Sequence, residues 1–235
     1  MKRKDIFLVL SALLAGLATL FFLSKKRQPV ENHPKAVPSQ GLYHLFAPVY
    51  DLMFGGTYAK ARQRTVHLLR LQPGERLLIS GVGTGLDLPL IPAGTEVTGV
   101  DISSDMLRVA GKKFSRAAVE LVQMDAQQLD LPAETFDAAL LNLIVSVAPD
   151  GRAVFQEAWR ALKPGGRLVL FDKFLPEGQA VGLLRNILGG FFRWIGTDIN
   201  RRLSDVLGEI ENAEVEINEP SLFFGQYRIL KIIKS

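Results

Sequence analysis

A glycine-rich run and an acid that follows it are the residues whose spacing points most directly to chemistry. Residues 81–85 read GVGTG and come directly after a short apolar run at 76–80. Glycine allows a tight backbone turn and lets a ligand approach where a Cβ would block it. Asp101 lies twenty residues after Gly81, at the end of the next apolar run, where a carboxylate can accept hydrogen bonds from ribose hydroxyls. The pair predicts a nucleotide site.

The glycine spacing separates two kinds of nucleotide ligand. Dinucleotide-binding loops read G-x-G-x-x-G, whereas residues 81–85 read G-x-G-x-G and Leu86 takes the sixth place. A third apolar run, 119–124, ends before Asp125, whose carboxylate can accept a hydrogen bond from an adenine amino group. Acids after the second and third runs fit adenosine recognition better than pyrophosphate recognition.

The elements that must position these residues alternate between strands and helices. Strands are predicted at 76–80, 96–101, 119–124, 136–143 and 167–171, and helices near 85–92, 104–116 and 150–162. Apolar strands separated by helices predict a parallel, doubly wound α/β sheet. A long helical region is predicted at 178–210, followed by strands at 214–218 and 226–233. Because no helix joins these last two strands, they predict an antiparallel edge.

An uncharged run of eighteen residues, 6–23, lies near the N-terminus. A helix of this length is about 27 Å long, which is enough to cross the hydrocarbon core of a bilayer. A cleaved signal peptide is the alternative, but no small-x-small site precedes residues 24–27 (SKKR). We therefore expect residues 1–27 to be a membrane anchor, residues 28–41 a proline-containing linker and residues 42–235 the globular domain.

The basic charge of the chain is concentrated in this N-terminal segment. Residues 1–27 contain six basic residues and one acid, a net charge of +5, whereas the whole chain carries +4. The remainder is therefore close to neutral, which gives no support for binding to a nucleic-acid backbone. The absence of cysteine excludes disulfides, a thiolate metal site and a cysteine nucleophile, and no metal is expected.

Four segments taken in order resemble the motifs of class I S-adenosylmethionine-dependent methyltransferases. They are GVGTG, VTGVDISSDML, VQMDAQQLDLPAETFD and LKPGGRLVLFD, within residues 76–172. The resemblance implies a Rossmann-like, doubly wound seven-stranded sheet with an antiparallel last strand, and S-adenosylmethionine as cofactor. The implied cofactor-binding residues are Gly81, Gly83, Thr84, Gly85, Asp101, Ile102, Met106, Asp125, Ala126 and Asn142. Ser80, the residue before the first glycine, is a further candidate for binding the cofactor. For Met106, ordinary core packing is the alternative.

One position departs from the family pattern. The family usually has Glu or Asp two residues before the first glycine, where the acid helps to hold the charged amino end of the cofactor. This chain has Ile79 there, followed by Ser80. Ser80, or backbone carbonyls with water, are the candidate replacements; weaker cofactor affinity and altered chemistry are the alternatives.

The acceptor side is expected before the first strand and after the fourth and fifth strands. The spacing of Tyr50-Asp51, Phe54-Gly55 and Arg62, together with LNLIVSVAPD at 141–150, resembles bacterial phosphatidylethanolamine N-methyltransferases and their quinone-methylating relatives. Tyr50 is the first catalytic candidate, and it is expected to contact substrate. The alternative for each aromatic is core packing, and for Arg62 it is a solvated helix face.

Three further polar residues are candidates on this side. His44 has a side chain whose ordinary pKa lies near neutrality, so it is the candidate catalytic base, with a surface or capping role as the alternative. Tyr43 and Lys173, with Arg62, are predicted to bind substrate. Similar phospholipid methyltransferases tend to have an asparagine–histidine pair after strand five, where this chain has Asp172-Lys173. Lys173 can meet a phosphate but cannot act as a neutral base at ordinary pKa.

These observations favour a single-pass inner-membrane methyltransferase with its globular domain in the cytoplasm, where S-adenosylmethionine is expected. Its expected partners are the bilayer and a lipidic substrate, with phosphatidylethanolamine first and a quinone precursor or hydrophobic thiol as alternatives. A cofactor-binding membrane protein without methyl transfer is the alternative that Ile79 suggests. The apolar segment 181–195 is either the helix between strands five and six or an interfacial helix.

Overall fold

The computed structural model describes residues 56–113, 115–177, 200–208, 210 and 212–235. The predicted anchor helix at 6–23, the linker at 28–41 and the segment 181–195 lie outside these residues. Within the described part of the chain, no helix is long and apolar enough to cross a membrane.

A seven-stranded sheet organises the described residues. Its strands are β1 (Arg76–Ser80), β2 (Glu96–Asp101), β3 (Ala118–Gln123), β4 (Phe136–Asn142), β5 (Leu162–Lys173), β6 (Ala213–Pro220) and β7 (Tyr227–Lys234). Their order is β3-β2-β1-β4-β5-β7-β6. Strands β1 to β5 are parallel, and β7 pairs antiparallel with both β5 and β6. The predicted Rossmann-like sheet with an antiparallel last strand is confirmed.

The helices of the described residues cover both faces of this sheet. They are α1 (56–69), α2 (Ser104–Ala110), α3 (Gly151–Ala161) and the short α4 (Leu203–Leu207). Successive residues of a strand point to opposite faces, and β1 shows the result. Leu78 packs in one apolar cluster with Phe155 of α3, whereas Leu77 and Ile79 pack in a second cluster with Leu69 of α1. Each fully buried side chain of this size stabilises the fold by roughly 1.5–3 kcal/mol.

Helix α1 runs from the carboxyl edge of the parallel strands to their amino edge. Near its start, the hydroxyl of Tyr58 lies 2.9 Å from that of Tyr227, the first residue of β7. At its end, the Leu69 carbonyl accepts a hydrogen bond from Arg167 near the start of the paired part of β5. The chain therefore enters the described domain at the edge where the parallel strands end.

Two of the predicted helices differ from the structure. The helix predicted near 85–92 is only a 3-10 turn, Leu88–Leu90, and the prediction was wrong because Pro89 and Pro92 disfavour α-helical backbone at the residues before them. Helix α2 ends at Ala110 rather than near 116, with Gly111 as its C-cap. Within the predicted helical region 178–210, the described residues 200–202 are not helical.

Candidate active site

The glycine loop at the end of β1 is closely packed on one side and open on another. Gly81 has a φ of +70°, and a Cβ there would lie 2.7 Å from Cδ1 of Ile144. Gly83 has a φ of +56°, but the nearest atom to a Cβ there would be the Gly81 carbonyl oxygen at 4.0 Å. The loop therefore presents open space over Gly83, at the place where a ligand can approach the backbone.

Asp101, the last residue of β2, fixes the loop from the neighbouring strand. The Gly83 amide donates to its Oδ2 at 2.9 Å, and the Ser103 amide donates to its Oδ1 at 2.9 Å. Burial raises the pKa of Asp101, and these two backbone donors act against that rise. A carboxylate oxygen can accept more than one hydrogen bond, so Asp101 keeps acceptor capacity for ribose hydroxyls.

Ile102 and Met106, the residues predicted to flank adenine, come shortly after Asp101 in the chain. Ile102 is 46% exposed, although isoleucine is usually buried. Met106, in the first turn of α2, is buried, and its amide donates to the Ser103 side chain at 3.4 Å. Ile102 is thus an exposed apolar side chain next to Asp101, the carboxylate predicted to bind the ribose. The flat face of a purine would cover such a side chain. The adenine contacts of both residues stay predictions.

Asp125 and Ala126 lie after β3, where a glutamine that the sequence reasoning missed organises the loop. Both carboxylate oxygens of Asp125 accept hydrogen bonds from Gln127, whose side-chain nitrogen lies 3.0 and 3.1 Å from them. The Gln127 side-chain oxygen accepts from the Asp150 amide at 2.8 Å. Gln127 thereby joins the loop after β3 to the loop after β4, and Ala126 packs in the core. Sequence spacing carried no signal for this bridge.

A buried polar network lies where α1, the glycine loop and β4 meet. Arg62 of α1 donates through Nη1 to Oδ2 of Asp87 at 2.7 Å, and the side chains are only 9% and 3% exposed. The alternative that Arg62 lies on a solvated helix face is therefore wrong. Asn142, the last residue of β4, donates to Oδ1 of Asp87 at 3.0 Å and to Oγ1 of Thr65 at 3.2 Å. Asp87 was missed by the sequence reasoning, although an acid inside the apolar run LDLPL was a signal.

Neither Ile79 nor Ser80 on β1 takes the place of the acid that the family usually carries at position 79. Ile79 is 1% exposed and belongs to the apolar cluster on the α1 side of the sheet. Ser80 is the next residue along the strand, so its side chain points to the opposite face. Its hydroxyl is buried and lacks a hydrogen-bond partner within the described structure.

The loop after β4 is held in place by two long-range contacts. Oδ2 of the fully buried Asp172 accepts from the Ser146 amide at 3.0 Å, and burial raises the pKa of Asp172. Arg201 donates to the carbonyls of Val145, Ala148 and Pro149. These contacts fix the backbone that follows Asn142 at the carboxyl edge.

The acceptor side is only partly described. Tyr43, His44 and Tyr50 lie outside the described residues, so their predicted roles stay predictions. Lys173 ends β5 beside Tyr227, and its amide donates to Oδ1 of Asp172 at 2.8 Å. Its side chain is half-buried.

An aromatic cluster that the sequence reasoning missed lies beside Lys173. The ring of Phe171 contacts those of Tyr58 and Tyr227 at centroid distances of 5.8 and 5.6 Å. The two tyrosine hydroxyls pair with each other, and burial raises the pKa of Tyr58. The rings pack in the core at the edge where the acceptor is expected, with Phe171 fully buried and Tyr58 only 6% exposed. In the described residues, no cluster of three or more acids or histidines could hold a metal ion.

The strand order and the glycine loop at the carboxyl edge define a Rossmann-like α/β protein. Comparison with similar proteins shows which family of such proteins includes this chain. The methyltransferase domain family matches residues 78–170. Phosphatidylethanolamine N-methyltransferase of Cereibacter sphaeroides is 36% identical over 152 residues, covering 63% of this chain and 74% of that protein. Demethylmenaquinone methyltransferase of Listeria monocytogenes is 31% identical over 166 residues, covering 66% and 68%.

Solved structures share the fold at lower identity. Geranyl diphosphate methyltransferase in complex with S-adenosylmethionine superposes with a TM-score of 0.63 at 15% identity, covering 81% of this chain and 90% of that chain. A methyltransferase from Aquifex aeolicus has a TM-score of 0.51 at 17% identity, covering 86% and 100%. The chain belongs to the S-adenosylmethionine-dependent methyltransferase family, and S-adenosylmethionine is its cofactor. This membership favours a transferring enzyme over the alternative of a cofactor-binding protein without methyl transfer.

Proposed function

We propose that this methyltransferase is anchored to the membrane and methylates the amino group of phosphatidylethanolamine or a closely similar lipid. The observation that carries the proposal is the 36% identity to a phosphatidylethanolamine N-methyltransferase. The uncharged run at 6–23 supports it, because an anchor would place the site next to a membrane pool of substrate. The globular domain is proposed to lie on the cytoplasmic side of the inner membrane, because the cofactor is expected there.

The proposed cofactor site uses the residues at the carboxyl edges of β1, β2 and β3. The backbone at Gly83 leaves room for the methionine part of the cofactor, and Asp101 accepts from its ribose. Ile102 and Met106 cover adenine, and Asp125 meets its edge. The residues fit the cofactor because the fold brings the open space over Gly83 next to the buried carboxylate of Asp101, which the exposed Ile102 follows.

When bound, S-adenosylmethionine supplies a methyl group on a sulfonium that is displaced in line. The bond from the lipid nitrogen to the methyl carbon forms as the carbon–sulfur bond breaks. The protein therefore contributes alignment and exclusion of water more than covalent chemistry. The amine reaches the site as an ammonium at neutral pH, so one proton must first leave it. His44 is the proposed acceptor of that proton, and Tyr50 is proposed to orient the amine.

The lipid headgroup is proposed to approach past the end of β5. Lys173 lies at this edge and carries a cationic side chain suited to a lipid phosphate. The aromatic cluster of Tyr58, Phe171 and Tyr227 packs beside it in the core. Tyr43 is proposed to contact the headgroup. Arg62 was expected to do so as well, but its buried ion pair with Asp87 supports an internal role instead.

A quinone precursor is the second candidate acceptor. Two observations favour it: the 31% identity to a demethylmenaquinone methyltransferase, and Asp172-Lys173 at the place where phospholipid methyltransferases tend to have asparagine and histidine. A quinone precursor would approach the same edge, past the end of β5. A hydrophobic thiol would use the same edge.

Incubation of the purified full-length chain with methyl-labelled S-adenosylmethionine and a total lipid extract tests these proposals. Label in the methylated phosphatidylethanolamine fraction is the expected result. Label confined to the quinone fraction would favour the second candidate. Unlabelled lipid across the conditions tested, from a preparation that binds S-adenosylhomocysteine, would contradict a lipidic acceptor.

A chain lacking residues 1–27 should leave the membrane fraction, and its retention there would contradict the anchor.

A further inference from the structure

The network around Asn142 determines which way its side-chain amide faces. Thr65 donates its hydroxyl hydrogen to the Arg62 carbonyl at 2.9 Å, so its oxygen acts as an acceptor toward Asn142. Asp87 is ion-paired with Arg62, so its carboxylate oxygens act as acceptors too. The amide nitrogen of Asn142 must therefore face both groups, and its two hydrogens are used by them.

This arrangement fixes the orientation of the Asn142 side chain. The amide cannot turn over without setting its oxygen against the Asp87 carboxylate and the Thr65 oxygen. Its oxygen Oδ1 consequently faces away from both groups, is buried, and lacks a hydrogen-bond partner within the described structure. A buried acceptor without a partner is unfavourable, so Oδ1 is an acceptor prepared for a donor from outside the network.

Asn142 lies on the strand next to Ile79, which occupies the position of the missing acid. Ile79 pairs with Leu140 in the β1–β4 register, and Asn142 is two residues beyond Leu140. Its side chain therefore emerges on the same face as that of Ile79, one step closer to the carboxyl edge. Its contact with Thr65 of α1 agrees with this placement. The glycine loop begins at Gly81, in line with Asn142 across the two strands.

We infer that Oδ1 of Asn142 accepts a hydrogen bond from the ammonium group of the methionine part of S-adenosylmethionine, in place of the absent acid. Arg62 and Asp87 are positioning residues that hold the asparagine in the accepting orientation. The ammonium supplies the charge-assisted donor that Oδ1 lacks. An asparagine oxygen has only a partial charge, so the negative charge of the usual acid is replaced by a rigid, buried dipole. The inference rests on the proposed cofactor site at the glycine loop.

Two ligands that differ only in the amino group test it. S-adenosylhomocysteine carries the ammonium, and its deaminated analogue keeps the adenosine, thioether and carboxylate. Calorimetry on the full-length chain should show that the wild type binds the amino form at least 10-fold more tightly. Asn142→Ala should lose most of this preference while binding the deaminated analogue nearly as well as the wild type does. If Asn142→Ala does not fold, Asn142→Ser serves the same comparison, because its hydroxyl can still donate but its oxygen lies closer to the backbone.

The possible outcomes separate the inference from the site it rests on. An equal loss of affinity for both ligands in the variant would show that Asn142 only supports the fold, and would overturn the inference. An unchanged preference would overturn it as well. Failure of the wild type to bind either ligand would instead overturn the proposed cofactor site. Arg62→Met should reduce the preference in the same direction as Asn142→Ala, and an unaltered preference there would remove its positioning role.

Discussion

The amide nitrogen of Gly83 lies 2.9 Å from Oδ2 of Asp101, and this hydrogen bond ties the glycine loop of β1 to the tip of β2. The bond sets the distance between the part of the site proposed for methionine and the part proposed for ribose. It also stabilises the ionised form of a carboxyl group that burial would otherwise neutralise. The geometry of the cofactor site thus depends on the charge of Asp101.

Asp101→Asn should weaken the binding of S-adenosylhomocysteine by about 10- to 100-fold, because hydrogen bonds to a charged acceptor contribute about 1.5–3 kcal/mol. Burial raises the pKa of Asp101, so protonation begins above the ordinary aspartate range and wild-type affinity should fall as the pH is lowered into that window. Titration calorimetry across that pH range checks both effects. An affinity that depends on pH equally in wild type and variant would assign the titration to another group.

Gly83→Ala and Gly165→Ala form a matched pair. Both glycines have a positive φ, +56° and +77°, and neither has an atom closer than 4.0 Å to an added Cβ. Each substitution should cost about 1–2 kcal/mol of stability through backbone strain. Only the Gly83 change places a methyl group in the proposed cofactor space, so only it should abolish binding of S-adenosylhomocysteine. Equal affinity in the two variants would contradict the proposed location.

Arg62→Met should lower the free energy of unfolding by about 3–5 kcal/mol, because it leaves the Asp87 carboxylate buried without its cation. Arg64→Met on the same helix is the control. Its ion pair with Glu219 has side chains 42% and 36% exposed, and such pairs contribute about 0–1 kcal/mol. Urea denaturation measures both. Similar losses in the two variants would show that the Arg62 pair is no more important than a surface pair.

Glu75 and Arg167 link the start of β1 to β5 at the opposite edge, and their pairing predicts a pH effect. The Arg167 hydrogen bonds hold the pKa of Glu75 below its ordinary value. Glu75 therefore stabilises the fold fully above its ordinary pKa, and this contribution is lost as the pH falls through the lowered value. Glu75→Gln should cost about 1 kcal/mol near neutral pH. The difference from wild type should shrink in acid, whereas the exposed Glu120→Gln should have little effect at either pH.

The central strands were predictable because their apolar runs, such as 77–79 and 138–141, are continuous and buried. β1 and β2 have the predicted bounds, and the antiparallel end of the sheet followed from the absence of an α-helix between β6 and β7. The helix near 85–92 was mispredicted because its apolar spacing masked the effect of two prolines. Propensity and periodicity are local, so they describe single elements better than contacts between them.

The site was predictable only where a local motif marks it. Gly81 and Asp101 could be recognised from spacing alone. The Arg62–Asp87 pair joins residues 25 positions apart on different elements, and Asn142 is a further 55 positions from Asp87. Such a network depends on how α1 packs on the sheet, which no local pattern encodes. The sequence therefore assigned Arg62 to the substrate, and the fold places it inside the protein.

Three versions of the full-length chain test whether the protein methylates lipid with a cofactor bound at the glycine loop. Vesicles containing phosphatidylethanolamine are incubated with methyl-labelled S-adenosylmethionine and the wild type, Gly165→Ala or Gly83→Ala. We expect labelled phosphatidylethanolamine with the first two and none above background with the third. Labelled lipid from Gly83→Ala at the wild-type rate, or no labelled lipid from the wild type, would contradict this expectation.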